Sequence, residues 1–472
     1  MKTVLKIVTK TLCLTFVFVS LWLLLSPYFR TERIVDGDQF RILPKNTVDV
    51  LALGSSHMQY AFNPATFYVE TGYYSYVLGS ACQPMTISYN FLKEALKTQN
   101  PEVVIIDVFT LLPDKNICES DGIYYRAIQQ LTGLNRIEAA LTVPNQEVRF
   151  DYMFDLIMNH GNWKDIDFSK TNLSVTEVNP GLGYVNELPD TFLFQHLILY
   201  EAKEKIELTP EEKKSIDALI SLCDKEGIEL IFIKTPYIID QENQDKLQAI
   251  WDYLEEKDAE YLDLLNGAEE YGWVLSMHGN TWHNNAWGAE IVTTYLANYI
   301  KEKGYVNNHQ TNEVYEHILG EMKKRNAKNL MYSAQIDIYI LLNHATKYPN
   351  TTLVKYTAKN LSIGPDETQL MNKAGIRHDF ENDISTDYFA IIENGKVIVE
   401  SNECIDYSYN GHKIHISNDG IIIDGEHYDE GEMSFIFSDN DFTWLNFIPI
   451  DYASRFFWKN GCNSWVCDEK EQ

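Results

Sequence analysis

Val48-Asp49-Val50-Leu51-Ala52-Leu53-Gly54-Ser55-Ser56-His57 is the stretch that decides the fold of this chain. A short, mostly apolar run closed by glycine reads as a strand buried on both faces, the signature of a parallel sheet. A residue at the carboxyl end of such a strand faces the crevice where open α/β sheets bind ligands. Gly54 permits a sharp turn there, which makes the Ser56 hydroxyl a candidate nucleophile. The competing reading is that Ser55 and Ser56 only cap the next helix.

Working outward, strand and helix patterns alternate. A second strand, 74–78, ends at Gly79. Helical spacing covers 86–98, and 103–108 is a third strand. Thr209-Pro210-Glu211-Glu212 is a capping box with proline at the first helical position, opening a helix that stops at Gly227. Strands at 228–233 and 261–264 flank a helix at 243–256, and a last helix carries Ile291, Val292, Tyr295, Leu296 and Ile300. This alternation predicts a three-layer α/β domain with a parallel, flavodoxin-like sheet over 34–305. An insertion at about 117–200 is expected to lie over the sheet's carboxyl edge. A helical linker (306–330), with its helix at 312–324, leads to a β-rich or α+β domain (331–472). There 336–342 and 353–357 read as strands and 366–374 as a helix. Asn394-Gly395, Asn410-Gly411, Asp419-Gly420 and Asp424-Gly425 read as hairpin turns.

The amino end stands apart. Lys2, Lys6 and Lys10 precede an uncharged run from Thr11 to Phe29, closed by Arg30 and Arg33. A run of this length is just enough for the roughly 30 Å bilayer core, so 1–33 is expected to be a transmembrane anchor, the alternative being a cleaved signal peptide. The lysines put the amino end inside and the rest of the chain outside the cell membrane. A net charge of -29 excludes phosphate-backbone recognition, so no nucleic acid partner is expected. Cys462 and Cys467 are close enough to pair, and Cys13, Cys82, Cys118, Cys223 and Cys404 are scattered.

Asn280-Thr281-Trp282-His283, just before the last helix, supplies the second candidate. A histidine there is placed to act as general base toward Ser56, since that task needs a group titrating near neutrality; otherwise it is a surface or capping residue. His278 with His283 would make a sparse metal site, and neither a metal nor another cofactor is expected.

Serine after the first strand and histidine before the last helix resemble the SGNH/GDSL hydrolase superfamily over 48–304. The resemblance implies Ser56 as nucleophile, Gly79 as a backbone oxyanion donor and His283 as base. Asn280 stands where the family carries its acid, so either an amide holds the imidazole or another carboxylate, such as Asp263 or Asp240, substitutes. The family's oxyanion asparagine is not visible after Ile105-Ile106-Asp107; Asn162 or His160 could serve, and with His57 these are the expected substrate-binding residues. Gly54-Ser-Ser-His57, Trp282-His-Asn-Asn-Ala-Trp-Gly288, Phe154-Asp-Leu-Ile-Met-Asn-His160 and Lys234-Thr-Pro-Tyr237 are similar to an extracytoplasmic branch that includes the D-alanyl transfer protein of lipoteichoic acid decoration. That implies a serine esterase or O-acyltransferase acting on cell-wall or exopolysaccharide polymers, with a membrane-bound acyltransferase as a partner. The alternative is a low-activity, polymer-binding scaffold. Tyr388-Phe-Ala-Ile-Ile-Glu-Asn-Gly-Lys396 and Gly420-Ile-Ile-Ile-Asp-Gly425 resemble the interleukin-like EMT-inducer fold.

Overall fold

The computed structural model describes residues 2–29, 36–112, 121–164, 179, 181–185, 199–273, 277, 282–333, 338–357, 365–380, 382–383, 385–428 and 431–450. Five short strands form the first sheet: β1 (Val50–Gly54), β2 (Ser75–Gly79), β3 (Val103–Asp107), β4 (Glu229–Ile233) and β5 (Glu260–Leu262), in the order β2-β1-β3-β4-β5. Every pairing is parallel. Residues of β1, β2 and β3 are buried throughout, which is why their sequences read as continuous apolar runs.

The chain runs from β1 outward to β2, then returns to β3 on the other side of β1. This reversal leaves a crevice at the carboxyl ends of β1 and β3. Gly54 and Gly79 are register partners at the carboxyl ends of β1 and β2. A Cβ on Gly79 would lie 2.5 Å from the Gly54 carbonyl oxygen, so the two strand ends approach as closely as they do only because Gly79 has no side chain.

The helices on this sheet follow the expected signals. The Thr209 capping box is formed in full, and the helix Pro210–Glu226 ends at Gly227 with φ 70°. Helices Met85–Ala95, Gln241–Glu256 and Ala286–Lys303 occupy the expected places. In the insertion, the helix Gly133–Thr142 packs beside Met85–Ala95: Asn135 Nδ2 donates to the Asn90 carbonyl (2.7 Å) and to Glu94 Oε2 (2.9 Å). Buried amides and a buried carboxylate need such partners, so this helix extends the helical layer, while Gln130 Nε2 donates to the Gly79 carbonyl at the carboxyl end of β2 (3.3 Å). Arg136 makes a bidentate pair with buried Asp155 at 2.7 and 2.8 Å.

The amino-terminal helix Lys2–Leu25 exposes Leu12, Leu14, Phe16 and Phe18. Among the described residues no helix is long and apolar enough to cross a membrane, so the expected transmembrane helix is corrected. The α-helix stops at Leu25 and continues as a 3-10 turn, Ser26–Phe29. Its uncharged part, 11–25, is therefore about 22 Å long at ~1.5 Å per residue, short of the ~30 Å core.

The chain divides into two compact units, and the boundaries cut across the domains read from sequence. One holds 1–185, 198–267 and 292–316; the other holds 186–197, 268–291 and 317–472. In the second, β6 (Thr351–Tyr356), β7 (Tyr388–Glu393), β8 (Lys396–Ser401), β13 (Met433–Ser438) and β14 (Leu445–Ile450) form a sheet ordered β14-β13-β6-β7-β8. Strands β9 (Ile405–Tyr409), β10 (His412–Ser417), β11 (Gly420–Ile423) and β12 (Glu426–Tyr428) form another. Leu353, Phe389, Ile391 and Ile436 of the first share a core with Ile414, Ile416 and Ile421 of the second.

Positive φ at Asn394 and Gly395, Asn410 and Gly411, and Asp424 and Gly425 makes three of the expected hairpins primed turns. The fourth differs: Ser417 pairs with Gly420, so Asn418-Asp419 is the loop. The strand expected at 336–342 is instead the helix Ile338–Lys347, because a short apolar run does not by itself distinguish strand from buried helix. The expected helix at 312–324 extends to Ser333.

Candidate active site

Ser55 and Ser56 divide the roles that the sequence left open between them. Ser55 is the N-cap of the helix Ser56–Ala61, its hydroxyl accepting from the His57 N–H. Ser56 is the first helical residue and half-buried, just past the strand end where Gly54 pairs with Gly79.

Behind it lies a buried polar cluster that sequence reasoning missed. Lys234 follows the last residue of β4, and its side chain is fully buried. Its ammonium is 3.3 Å from Asp107 Oδ2 at the end of β3 and donates to the Thr235 carbonyl at 2.8 Å. It also lies over the Tyr237 and Phe109 rings, where the ring quadrupoles attract a cation. Asp107 accepts from the Thr235 N–H and hydroxyl, both at 2.9 Å, and from the Phe109 N–H at 2.8 Å. The sequence signal was a lysine set directly after the buried strand Leu230-Ile-Phe-Ile233, where the side chain cannot reach water.

His57 belongs to this cluster. It is 2% exposed, stacked on Phe109 at 3.6 Å and edge-on to Tyr237. The residue expected to bind substrate is thus enclosed by aromatic rings. The Lys234 ammonium lies 3.4 Å from His57 Nδ1. An ammonium has only donors, so Nδ1 is the acceptor in that contact.

His283 sits in a braced segment. Asn285, and not His283, caps the helix Ala286–Lys303: its Oδ1 accepts from the Trp287 and Gly288 N–H groups, both at 3.0 Å. Asn284 Oδ1 accepts from Trp273 Nε1 at 2.7 Å. A Cβ on Gly288 would lie 2.5 Å from the Met277 carbonyl oxygen, so this glycine lets the segment close. His283 is half-buried, and its segment groups with the second compact unit, while Ser56, Gly79, Asp107 and Lys234 belong to the first. Asn280 and His278 lie outside the described residues.

The carboxylates considered as substitutes for Asn280 are engaged elsewhere. Asp263 accepts from Trp251 Nε1 (2.8 Å) and from the Asn266 N–H (2.9 Å) and Nδ2 (2.6 Å). Asp240 caps the helix Gln241–Glu256 through the Asn243 N–H. His160 is exposed, with Nδ1 against the Ile157 carbonyl at 2.9 Å, and Asn162 donates to the Phe29 carbonyl at 3.3 Å. These contacts tie both to their own turn and to the end of the amino-terminal helix, not to the strand ends. Among the described residues no cluster of three or more His, Cys, Asp or Glu is arranged to hold a metal. Cys82, three residues past Gly79, is disulfide-bonded; Cys13, Cys223 and Cys404 are free. The Cys462–Cys467 pairing lies outside the described residues.

No protein-family model matches the chain, and no curated protein matches it. Among solved structures it is similar to a protein assigned to the lipolytic G-D-S-L family from Desulfitobacterium hafniense, at 14% identity over 54% of this chain and 99% of that one, TM-score 0.28. It is also similar to an acetylxylan esterase from Geobacillus stearothermophilus, at 10% identity over 56% and 99%, TM-score 0.27. At these scores neither likeness carries an argument, and the α/β assignment stands on the parallel sheet and its strand order.

Proposed function

We propose that the chain is an extracytoplasmic serine esterase or O-acyltransferase acting on acylated cell-envelope glycans. The observation that carries this reading is the placement of Ser56: first residue of a helix, two residues past Gly54 at the carboxyl end of β1, where Gly54 pairs with Gly79. In the reaction, Ser56 Oγ attacks the ester carbonyl while a general base, the role the sequence gives His283, takes the hydroxyl proton. The carbonyl oxygen becomes an oxyanion facing the Gly79 and helix N–H groups. The C–O bond to the leaving alcohol then breaks, with the alcohol taking the proton from that base. Water or a sugar hydroxyl releases the acyl group by the reverse sequence. Donors of this kind typically contribute on the order of 10²–10³ in rate each. Asp107, Asp240 and Asp263 are all engaged, so the base and its orienting group stay those the sequence names, His283 and Asn280.

The Cys82 disulfide supports an oxidising compartment. The three lysines and the exposed apolar side chains of the helix Lys2–Leu25 support tethering at a membrane, where a membrane-bound acyltransferase would supply the acyl group.

A fluorophosphonate probe tests the reading. Wild type should label, while Ser56→Ala should not and His283→Ala should label far more slowly. Absence of labelling in folded wild-type protein would favour the second reading, a polymer-binding scaffold. That reading is supported by the Lys234–Asp107 ion pair at the end of β3, where the resembled family would lead to its oxyanion asparagine.

A further inference from the structure

We infer that a second cleft on the carboxyl edge of the first sheet is a binding subsite for a neutral, hydroxyl-rich saccharide. The cleft has a volume of about 680 Å³, and its walls include Tyr200, Glu201, Gln244, Gln248, Asp263 and Asn266. All belong to the first compact unit. Asp263 and Asn266 follow β5, and Gln244 and Gln248 lie one turn apart at the start of the helix Gln241–Glu256, so they share one helix face. β5 is three strand spacings from β1, about 14 Å at ~4.8 Å per strand. A polymer held in this cleft would therefore run along the edge that carries Ser56.

The lining suits sugar hydroxyls. Amides both donate and accept, and carboxylates accept from paired hydroxyls. Half-buried Tyr200 adds a ring to cover an apolar sugar face. Two carboxylates in the cleft and a net charge of -29 repel phosphate-bearing ligands, which selects a neutral one.

The cleft is also preformed. Trp251 and Asn266 fix the Asp263 carboxylate. Gln241 Nε2 donates to the Glu201 carbonyl at 2.8 Å and to Asp245 at 2.9 Å, and the Lys203 N–H donates to Asp245 at 2.6 Å. These bonds pin the 199–203 wall to the helix.

Gln244 is the most enclosed part of the lining. Gln244 is 4% exposed, and its Oε1 has no hydrogen-bond partner among the described residues. A buried acceptor left unmade costs stability, and a small shift of the Gln244 side chain on binding would let a sugar hydroxyl satisfy it.

The proposal rests on the glycan reading above only for the polymer's route to Ser56; saccharide binding itself does not need Ser56. The test is calorimetric titration of the full chain with cellobiose and N,N′-diacetylchitobiose, with glycerol phosphate as the anionic contrast. At least one neutral disaccharide should bind in the millimolar range and glycerol phosphate should not. Gln244→Leu and Asn266→Ala should each weaken binding about three- to tenfold, the range of one hydrogen bond. Gln244→Leu should leave the unfolding midpoint unchanged or raised, since it deletes an unpartnered acceptor; a purely structural glutamine would lower it. Ser56→Ala should bind as wild type. Binding of neither disaccharide at ~10 mM, preference for glycerol phosphate, unchanged affinity in both cleft variants, or a lowered midpoint in Gln244→Leu would each overturn the proposal. A chain that binds the disaccharide yet fails to label with fluorophosphonate keeps this subsite and loses the esterase reading.

Discussion

Replacing Lys234 with methionine removes the cation of the buried Lys234–Asp107–His57 cluster and keeps most of its volume. Both partners of the Lys234–Asp107 pair have fully buried side chains. Deleting one partner of a buried pair typically costs about 3–5 kcal/mol, because the other charge is stranded. Asp107 would keep three donors, the Thr235 N–H and hydroxyl and the Phe109 N–H, which places the cost near the lower figure. About 3 kcal/mol is roughly 10²-fold in an equilibrium constant. The assay is hydrogen exchange read by mass spectrometry on peptides spanning β3 and β4, since a local probe avoids averaging over two compact units. Lys234→Met should speed exchange there by about 10²-fold. Asp107→Asn in the same background should recover much of the loss, because an uncharged amide no longer needs the cation; the coupling should be at least about 1 kcal/mol. Acceleration under about threefold, or a double variant as unstable as the sum of the singles, would refute the claim that this pair braces the strand ends.

Four further outcomes are expected. Gly79→Ala forces a Cβ to 2.5 Å from the Gly54 carbonyl oxygen; ester hydrolysis should fall by about 10² or more, measured as kcat/KM on a small aryl ester. Gly183→Ala should be among the most destabilising single changes, since a Cβ there would lie 1.7 Å from the Val77 carbonyl oxygen at φ 80°; a lost or strongly lowered thermal transition checks this. Burial would raise the Glu290 pKa, but the charges of His344, at 2.7 Å, and Lys347, at 3.4 Å, outweigh it and lower it to about 2. Its stabilisation is therefore complete above the unfolded carboxylate's ~4.3 and is lost as pH falls from there toward about 2. Glu290→Gln should flatten this acid limb in circular-dichroism melts. Finally, Asn280→Asp should raise turnover by tenfold or more if position 280 orients His283, because a carboxylate stabilises the imidazolium and an amide does not; unchanged or reduced kcat would remove position 280 from that role.

What the sequence by itself determined is local. Gly54 after Val50-Leu-Ala-Leu53, the Thr209 capping box and the Asn394-Gly395 turn each encode their structure within a few residues, through burial period, cap chemistry and permitted φ. They placed Ser56 at a strand end and His283 before the last helix. What only the tertiary structure decided depends on which strand ends become neighbours. The order β2-β1-β3-β4-β5 brings Asp107 and Lys234, 127 residues apart, beside His57, an expected ligand contact that is enclosed as a buried imidazole with its Nδ1 engaged. Tertiary partners likewise engaged Asp263 with Trp251 and assigned the helix cap to Asn285. A hydrogen-bond partner is fixed by which groups are left unsatisfied in three dimensions, and nothing in the spacing along the chain records that.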